Sequence, residues 1–276
     1  MKSLYLYVCF FWVISLTASL AVGETITYQG GNYSGEILRG LPDGEGTWIL
    51  ETGDTYVGSF IVGIPWEGQG VFQFSDGSRY EGRYLYGIPH GKGRMQRLDG
   101  SVYVGTFDLG IWSGEGSLVF SDKSTYVGAW QDGRYHGDGT LQLANGYIYA
   151  GEWQMGEKYG FGEEIVVRYA ETAHYQGEFR RDQRHGYGVR TWSDWKYIGE
   201  WKNGKREGYG TTTFLNGFTY VGAYDKNRRS GQGVLYYPDG SLFAGLFRKG
   251  RPWAGEYSME GVLGKYVLGV YKKRNN

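Results

Sequence analysis

Hydrophobic and polar residues alternate along this chain in short runs. In the stretch YVGAW, Tyr126 to Trp130, an aromatic ring, a glycine and a second ring occupy every other position. Residues two apart on a strand share a face, so Tyr126, Gly128 and Trp130 should line up on one side. A second kind of run follows a Gly-x-Gly pair: Trp48 and Leu50 after Gly46, Phe72 and Phe74 after Gly70, Leu118 and Phe120 after Gly116, Leu235 and Tyr237 after Gly233. Both kinds of run predict strands with one apolar face. A glycine flanked by rings on that face lets the rings lie over bare backbone. Beyond the N-terminus, no window sustains a helical period.

The pattern recurs. The leading aromatic is found at Tyr33, Tyr56, Tyr80, Tyr103, Tyr126, Tyr149, Tyr175, Tyr197, Tyr220 and Phe243, mostly 23 residues apart. A fixed period of this size marks a repeat array. Its core reads Tyr56, Gly58, Phe60 in YVGSF; Tyr103, Gly105, Phe107 in YVGTF; Tyr149, Gly151, Trp153 in YAGEW; and Tyr197, Gly199, Trp201 in YIGEW. Over each copy the order is aromatic-x-Gly-x-aromatic-x-x-Gly-x-x-x-Gly-x-Gly, which resembles the MORN (membrane occupation and recognition nexus) repeat. The resemblance covers about ten copies between Tyr33 and Gly264. GIPWEG and GRPWAG carry a one-residue insertion, Asp182 and Asn227 stand where a turn glycine is expected, and Tyr257 stands at the last glycine position of the tenth copy. The resemblance implies a scaffold, often at membranes, that binds partners rather than transforming them.

These signals predict an all-β, elongated, single-layer antiparallel meander of stacked β-hairpins, about 95 Å long at two strands per copy. Asp76-Gly77, Asp99-Gly100, Asn145-Gly146, Asn216-Gly217 and Asp239-Gly240 read as the tight turns between copies. The inner turn of each copy, such as QDGRYHG, reads as a longer loop. The array is expected to fill residues 24–276, with a degenerate cap from about residue 255.

Residues 1–23 carry one Lys, an apolar run from Leu4 to Leu20 and small residues up to Gly23. They read as a signal helix cleaved after Ala21 or Gly23, placing the protein in the secretory pathway, the periplasm or outside the cell. An uncleaved membrane tether is the alternative. Cys9 is the sole cysteine, so the remainder has no disulfide, thiolate metal site or cysteine nucleophile.

Charge divides the array. Residues 24–140 hold 8 Lys and Arg against 15 Asp and Glu, a net of −7, whereas residues 141–276 hold 20 against 14, a net of +6. The basic excess gathers in four inner turns: Arg180, Arg181 and Arg184; Lys202, Lys205 and Arg206; Lys226, Arg228 and Arg229; Arg248, Lys249 and Arg251. Equivalent turns of stacked hairpins share one edge, so these residues are expected to form a stripe, either a solvated face that keeps a long sheet soluble or a docking edge for an anionic surface such as phospholipid head groups, lipopolysaccharide or an acidic partner protein. Earlier inner turns, FIVGIPWEG, YLYGIPHG and FDLGIWSG, are apolar or neutral. Nucleic acid fits poorly with the acidic half. Unprotected end strands suggest a homodimer.

Recognisable chemistry is sparse. His90, His136 and His185 precede the same glycine two copies apart, about 19 Å between neighbours, too far to share an ion. His174 lies in the longer linker before the seventh copy and has no evident partner in the sequence. The glycine pairs lack the Lys-Ser/Thr ending of a phosphate loop, and GIWSG lacks the spacing of a nucleophile elbow. Glu152, Glu178 and Glu200 recur at one repeat position, suggesting an outward ladder. A non-enzymatic scaffold without cofactor is expected; the alternative is a carbohydrate-binding or hydrolytic protein that stacks sugars in an aromatic trough.

Overall fold

The structure is a computed structural model, and it describes residues 23–168, 171–259 and 262–273. The expected signal helix lies outside the described residues. Among them are 23 strands and no helix, from Glu24–Tyr28 to Val270–Lys273. Every strand pairs antiparallel with its sequence neighbours, as Thr125–Gln131 does with Ile111–Val119 before it and Arg134–Gln142 after it. The two end strands pair on one side only. The sheet is an open meander.

Glycines meet glycines at the centre of each hairpin. Gly128 faces Gly139 within its hairpin and Gly116 across the boundary with the previous one, and Gly151 faces Gly162 and Gly139 in the same way. The tyrosine of each copy lies flat on the pair belonging to its own hairpin. A Cβ placed on Gly162 would come within 2.6 Å of the Tyr149 hydroxyl and 2.7 Å of its ring, so only glycine lets the ring reach the backbone. Tyr33, Tyr56, Tyr80, Tyr126, Tyr149, Tyr197 and Tyr220 are thereby completely buried in a sheet that has no second layer.

The ring's far end explains a second glycine. Register breaks between Gly128 and Trp130, where His136 to Asp138 bulge opposite Ala129, and Gly137 takes the bend at φ +57°. Ala129 has no register partner on the following strand, and its carbonyl accepts a hydrogen bond from the Tyr126 hydroxyl at 3.0 Å. The same bond to the third residue on recurs at Tyr33, Tyr80, Tyr103, Tyr149, Tyr175, Tyr197 and Tyr220, between 2.8 and 3.0 Å. Burial raises the Tyr126 phenol above its ordinary value, which keeps it a donor.

The ring four residues further on stands upright against this flat one. Tyr126 meets Trp130 at 5.0 Å and Trp153 of the next copy at 5.7 Å, both edge to face, and Tyr149 continues the ladder through Trp153 and Phe179. Edge-to-face contact pairs the positive ring edge with the negative face and adds about 0.5–1.5 kcal/mol per pair to the area term. Such contacts link the copies from Tyr33 to Phe247.

The turns are the reverse of the expectation. The inner turn is the tight one: Gln131 pairs with Arg134 across Asp132 and Gly133, which have φ +51° and +70°. Positive φ at both central residues is the type I′ turn whose twist matches the strands. Asp182 and Asn227 occupy the glycine place at +63° and +73°, tolerated because both residue types visit left-handed backbone. The DG and NG pairs sit instead in three-residue loops. Gly77 donates to Phe74, Phe74 donates to Ser78, and Asp76 accepts from the Ser78 amide at 2.8 Å. There only the glycine has positive φ.

Two further expectations change. In the tenth copy Gly255, not residue 257, faces Gly245, because the bulge sets only Trp253 and Ala254 against Leu246, one residue fewer than the His136 to Asp138 set against Ala129. What reads as an insertion is therefore a shorter bulge, and Tyr257 pairs with Phe243. The longer spacing before Tyr175 is no loop either. It extends strand pairing to Arg168 and Glu171, so that His174 pairs with Ile165 and its ring contacts Glu163.

Gly162→Ala is expected to cost roughly 1–3 kcal/mol by overpacking the Tyr149 ring, whereas Gly100→Asn, at a turn with open space around it, should be nearly neutral. Urea denaturation of both variants measures the difference.

Candidate functional site

The inner turns form one edge of the sheet, and backbone hydrogen bonds hold them in line. Asp182 donates to the Lys158 carbonyl at 3.2 Å, Gly204 to Arg184 at 2.9 Å, Asn227 to Arg206 at 3.0 Å and Gly250 to Arg229 at 3.0 Å. Asp182 and Asn227 add side-chain bonds from the amides of Lys158 and Arg206 at 2.9 Å. The histidines take part in similar ties, His90 accepting from the Leu109 amide and His136 from the Met155 amide.

Nine of the twelve basic residues expected on this edge are exposed there: Arg180, Arg181, Lys202, Lys205, Lys226, Arg228, Arg248, Lys249 and Arg251. Lys202 faces Lys205 and Arg248 faces Arg251 across their turns, and like charges directly opposite are destabilising. The fold does not select these charges.

Arg184, Arg206 and Arg229 do not join the edge. Each pairs with the upright aromatic of its copy, Phe179, Trp201 and Tyr224, and therefore lies on the aromatic face. Arg206 covers Tyr224 at 5.0 Å and Trp195 at 5.2 Å, Arg184 covers Tyr175 at 5.1 Å, and Arg229 lies 5.5 Å from Tyr220 and Phe247. The guanidinium replaces the ring or proline that other copies place there, as Trp112, Tyr135 and Pro89 do.

Sequence reasoning missed a buried polar group beside them. Glu164, opposite Tyr149, accepts from Lys158 at 3.0 Å and from the Tyr147 hydroxyl at 2.9 Å, and pairs with Arg184. Burial opposes its charge more than any single neighbour favours it, yet the charges of Arg184 and Lys158, with hydrogen bonds from Lys158 and Tyr147, together hold the carboxyl below its ordinary value of 4.5. Leu118 and Leu141 fill the equivalent place in earlier copies. Aligning the copies on this one column would have revealed the switch to Glu164, Arg190 and Thr212.

Glu152, Glu178 and Glu200 are exposed as expected, and each has a local task. They accept from the amides of Phe161, Tyr187 and Tyr209 at 2.8, 2.8 and 2.7 Å, groups that the bulge leaves open. No group of three metal-ligating side chains occurs among the described residues. The tyrosines of a supposed sugar trough are covered by one another and by the upright rings.

Fold and edge together define an all-β repeat scaffold. The family model of the MORN repeat matches residues 33–55, 62–79, 80–102, 103–125, 126–146, 175–196, 197–219 and 220–242, and the chain belongs to this family. Each matched segment, by its numbering, spans a flat tyrosine, its glycines or the turn that presents the edge. No curated protein matches the chain in sequence. Two solved structures are similar in part. The TCP domain of SAS-4 (dCPAP) in complex with a proline-rich motif of Ana2 (dSTIL) of Drosophila melanogaster is 11% identical with a TM-score of 0.27, covering 75% of this chain and 90% of that one. A streptogramin B lyase is 12% identical with a TM-score of 0.16, covering 95% of both chains. Neither likeness bears on function.

Glu164→Gln should destabilise the protein by about 3 kcal/mol, because it strands two buried cations. Its folded pKa is lowered, so the wild-type contribution is complete above the ordinary carboxylate value and disappears as pH falls through the folded value. Urea midpoints measured across that range should converge between variant and wild type at low pH.

Proposed function

We propose that this protein is a non-enzymatic scaffold that docks the basic half of its turn edge onto an anionic membrane surface, leaving its faces free for a protein partner. The observation that carries the reading is the row of nine exposed Lys and Arg side chains on four successive turns, held in line by turn-to-turn hydrogen bonds. Successive turns are about 10 Å apart, close to one Debye length in physiological salt, so their fields reinforce. Each Lys or Arg near an anionic leaflet contributes about 1 kcal/mol. The reversal of net charge between the halves of the array supports an oriented approach, basic end first.

Lys205, Arg228 and Arg251 are exposed and lie outside the positive-φ turn positions, so reversing them to Glu leaves the turn backbone unstrained. The triple variant should lose sedimentation with phosphatidylserine-containing vesicles, and wild-type binding should fall steeply as salt is raised. Binding indifferent to both changes would overturn the reading.

Export is the second part of the proposal, supported by the apolar run Leu4–Leu20 and the small residues up to Gly23. N-terminal sequencing of the native protein should begin at Val22 or Glu24; a sequence beginning at Met1 would instead favour the tether.

A further inference from the structure

The other half of the same edge has a different chemistry. In the second, third and fourth copies the turns present Val62 and Ile64, Tyr86 and Ile88, and Leu109 and Ile111, each at least 40% exposed. The first copy adds Leu38 and Leu41. These side chains are contiguous: Trp66 meets Tyr86 edge to face at 4.6 Å, and Ile88 lies against Gly110 of the next turn. With Trp66 they make a continuous exposed patch on the order of several hundred Å², at the upper end of what ordinary monomers expose.

The fold does not ask for these residues. Val62, Tyr86 and Leu109 are held at φ +48°, +55° and +44°, where the fifth and eighth copies place Asp132 and Asn203. Left-handed backbone is especially unfavourable for a β-branched side chain such as Val62. Strain accepted in order to expose an apolar group points to a surface that is covered when the protein works.

We propose that this apolar half-edge is a self-association surface on which a second copy docks antiparallel, about a two-fold axis between the second and third turns. The patch is comparable in size to the ~800 Å² per partner that a stable interface needs. Its pattern is self-complementary under that operation. The turn of the second copy meets that of the third, so Val62 and Ile64 face the partner's Tyr86 and Ile88. The turn of the first meets that of the fourth, bringing exposed Arg39 to the partner's Asp108, itself 70% exposed. The basic halves then extend from opposite ends of the dimer, tens of ångströms apart and screened from one another. Asp43, Glu67 and Asp108 border the patch, which disfavours insertion into an anionic bilayer.

Sedimentation equilibrium of the purified protein over about 1–100 µM should return the mass of a dimer. Ile64→Glu with Tyr86→Glu should return a monomer with an unchanged thermal melt. Arg39→Asp should weaken association about tenfold, the effect of losing roughly 1.4 kcal/mol, and adding Asp108→Arg should restore it. This exposed charge exchange decides the matter even if the apolar double variant fails to fold. A monomeric wild type, a dimer that survives Ile64→Glu/Tyr86→Glu, or indifference to the exchange would overturn the proposal. A monomer that loses vesicle binding on Ile64→Glu would assign the patch to lipid instead.

Discussion

A tyrosine ring laid flat on two facing glycines is the contact on which this structure depends. A single sheet has no second layer to cover its apolar face, and domains ordinarily solve that problem by packing one layer on another. Here the sheet covers itself. With no Cβ at Gly128 or Gly139, the Tyr126 ring sinks to the backbone and its hydroxyl reaches the Ala129 carbonyl at the bulge. The bulge in turn needs Gly137 at φ +57°. Ring, paired glycines and bulge glycine work together there, whereas the second copy keeps Tyr56 buried and bonded to the Ser59 carbonyl with a shorter bulge that has no glycine, so ring and paired glycines are the constant part of the device.

Because the device closes within one hairpin and its ladder reaches only the next, stability is local along the chain. The contacts between strands follow sequence order from end to end. The turns lie outside these requirements. A type I′ turn fixes the backbone signs at two positions and leaves the flanking side chains free, so one edge can be apolar in its first four copies and basic in its last four without altering the sheet. Selection for binding can therefore act on the turns while the seam stays the same.

Much of this was legible in the residues. The two-residue alternation in YVGAW and the pairing of Trp48 with Leu50 on one face announced the strands, and the recurrence of Tyr-x-Gly announced the hairpins. Turn lengths were not legible in the same way. A DG or NG pair signals a tight hairpin turn, but it serves equally in a three-residue loop where only its glycine has positive φ, as at Asp76-Gly77. The inner turn looked long because the glycines of QDGRYHG do two jobs, Gly133 in the turn and Gly137 in the bulge. Side-chain direction was hidden because the tight turn read as a long loop, although strand pairing already resumes at Gln183. Arg181 and Arg184 are near neighbours in sequence, yet the first is on the edge and the second stacks on Tyr175. His174 looked unpartnered because its neighbour Glu163 comes from the opposite strand of an extended hairpin.

The polar group around Glu164 has a meaning that only the repeat supplies. Ten similar hairpins create a hazard: a pairing displaced by one whole copy would still set each ring on a glycine pair and each upright aromatic against a flat one. Apolar columns cannot penalise that error, since Leu118 and Leu141 are interchangeable. Glu164 is not. Displaced by one copy, it would keep Lys158, which shares its strand, but lose Arg184 of the next hairpin, and an under-compensated buried charge costs several kcal/mol. Buried ion pairs contribute little net stability over well-packed apolar residues, so this network acts chiefly by discriminating between registers. It lies near the middle of the array, in the copy whose strands are extended to Arg168 and Glu171. From there it fixes the alignment of the acidic half against the basic half, and with it which copies carry the apolar turns and which the charged ones.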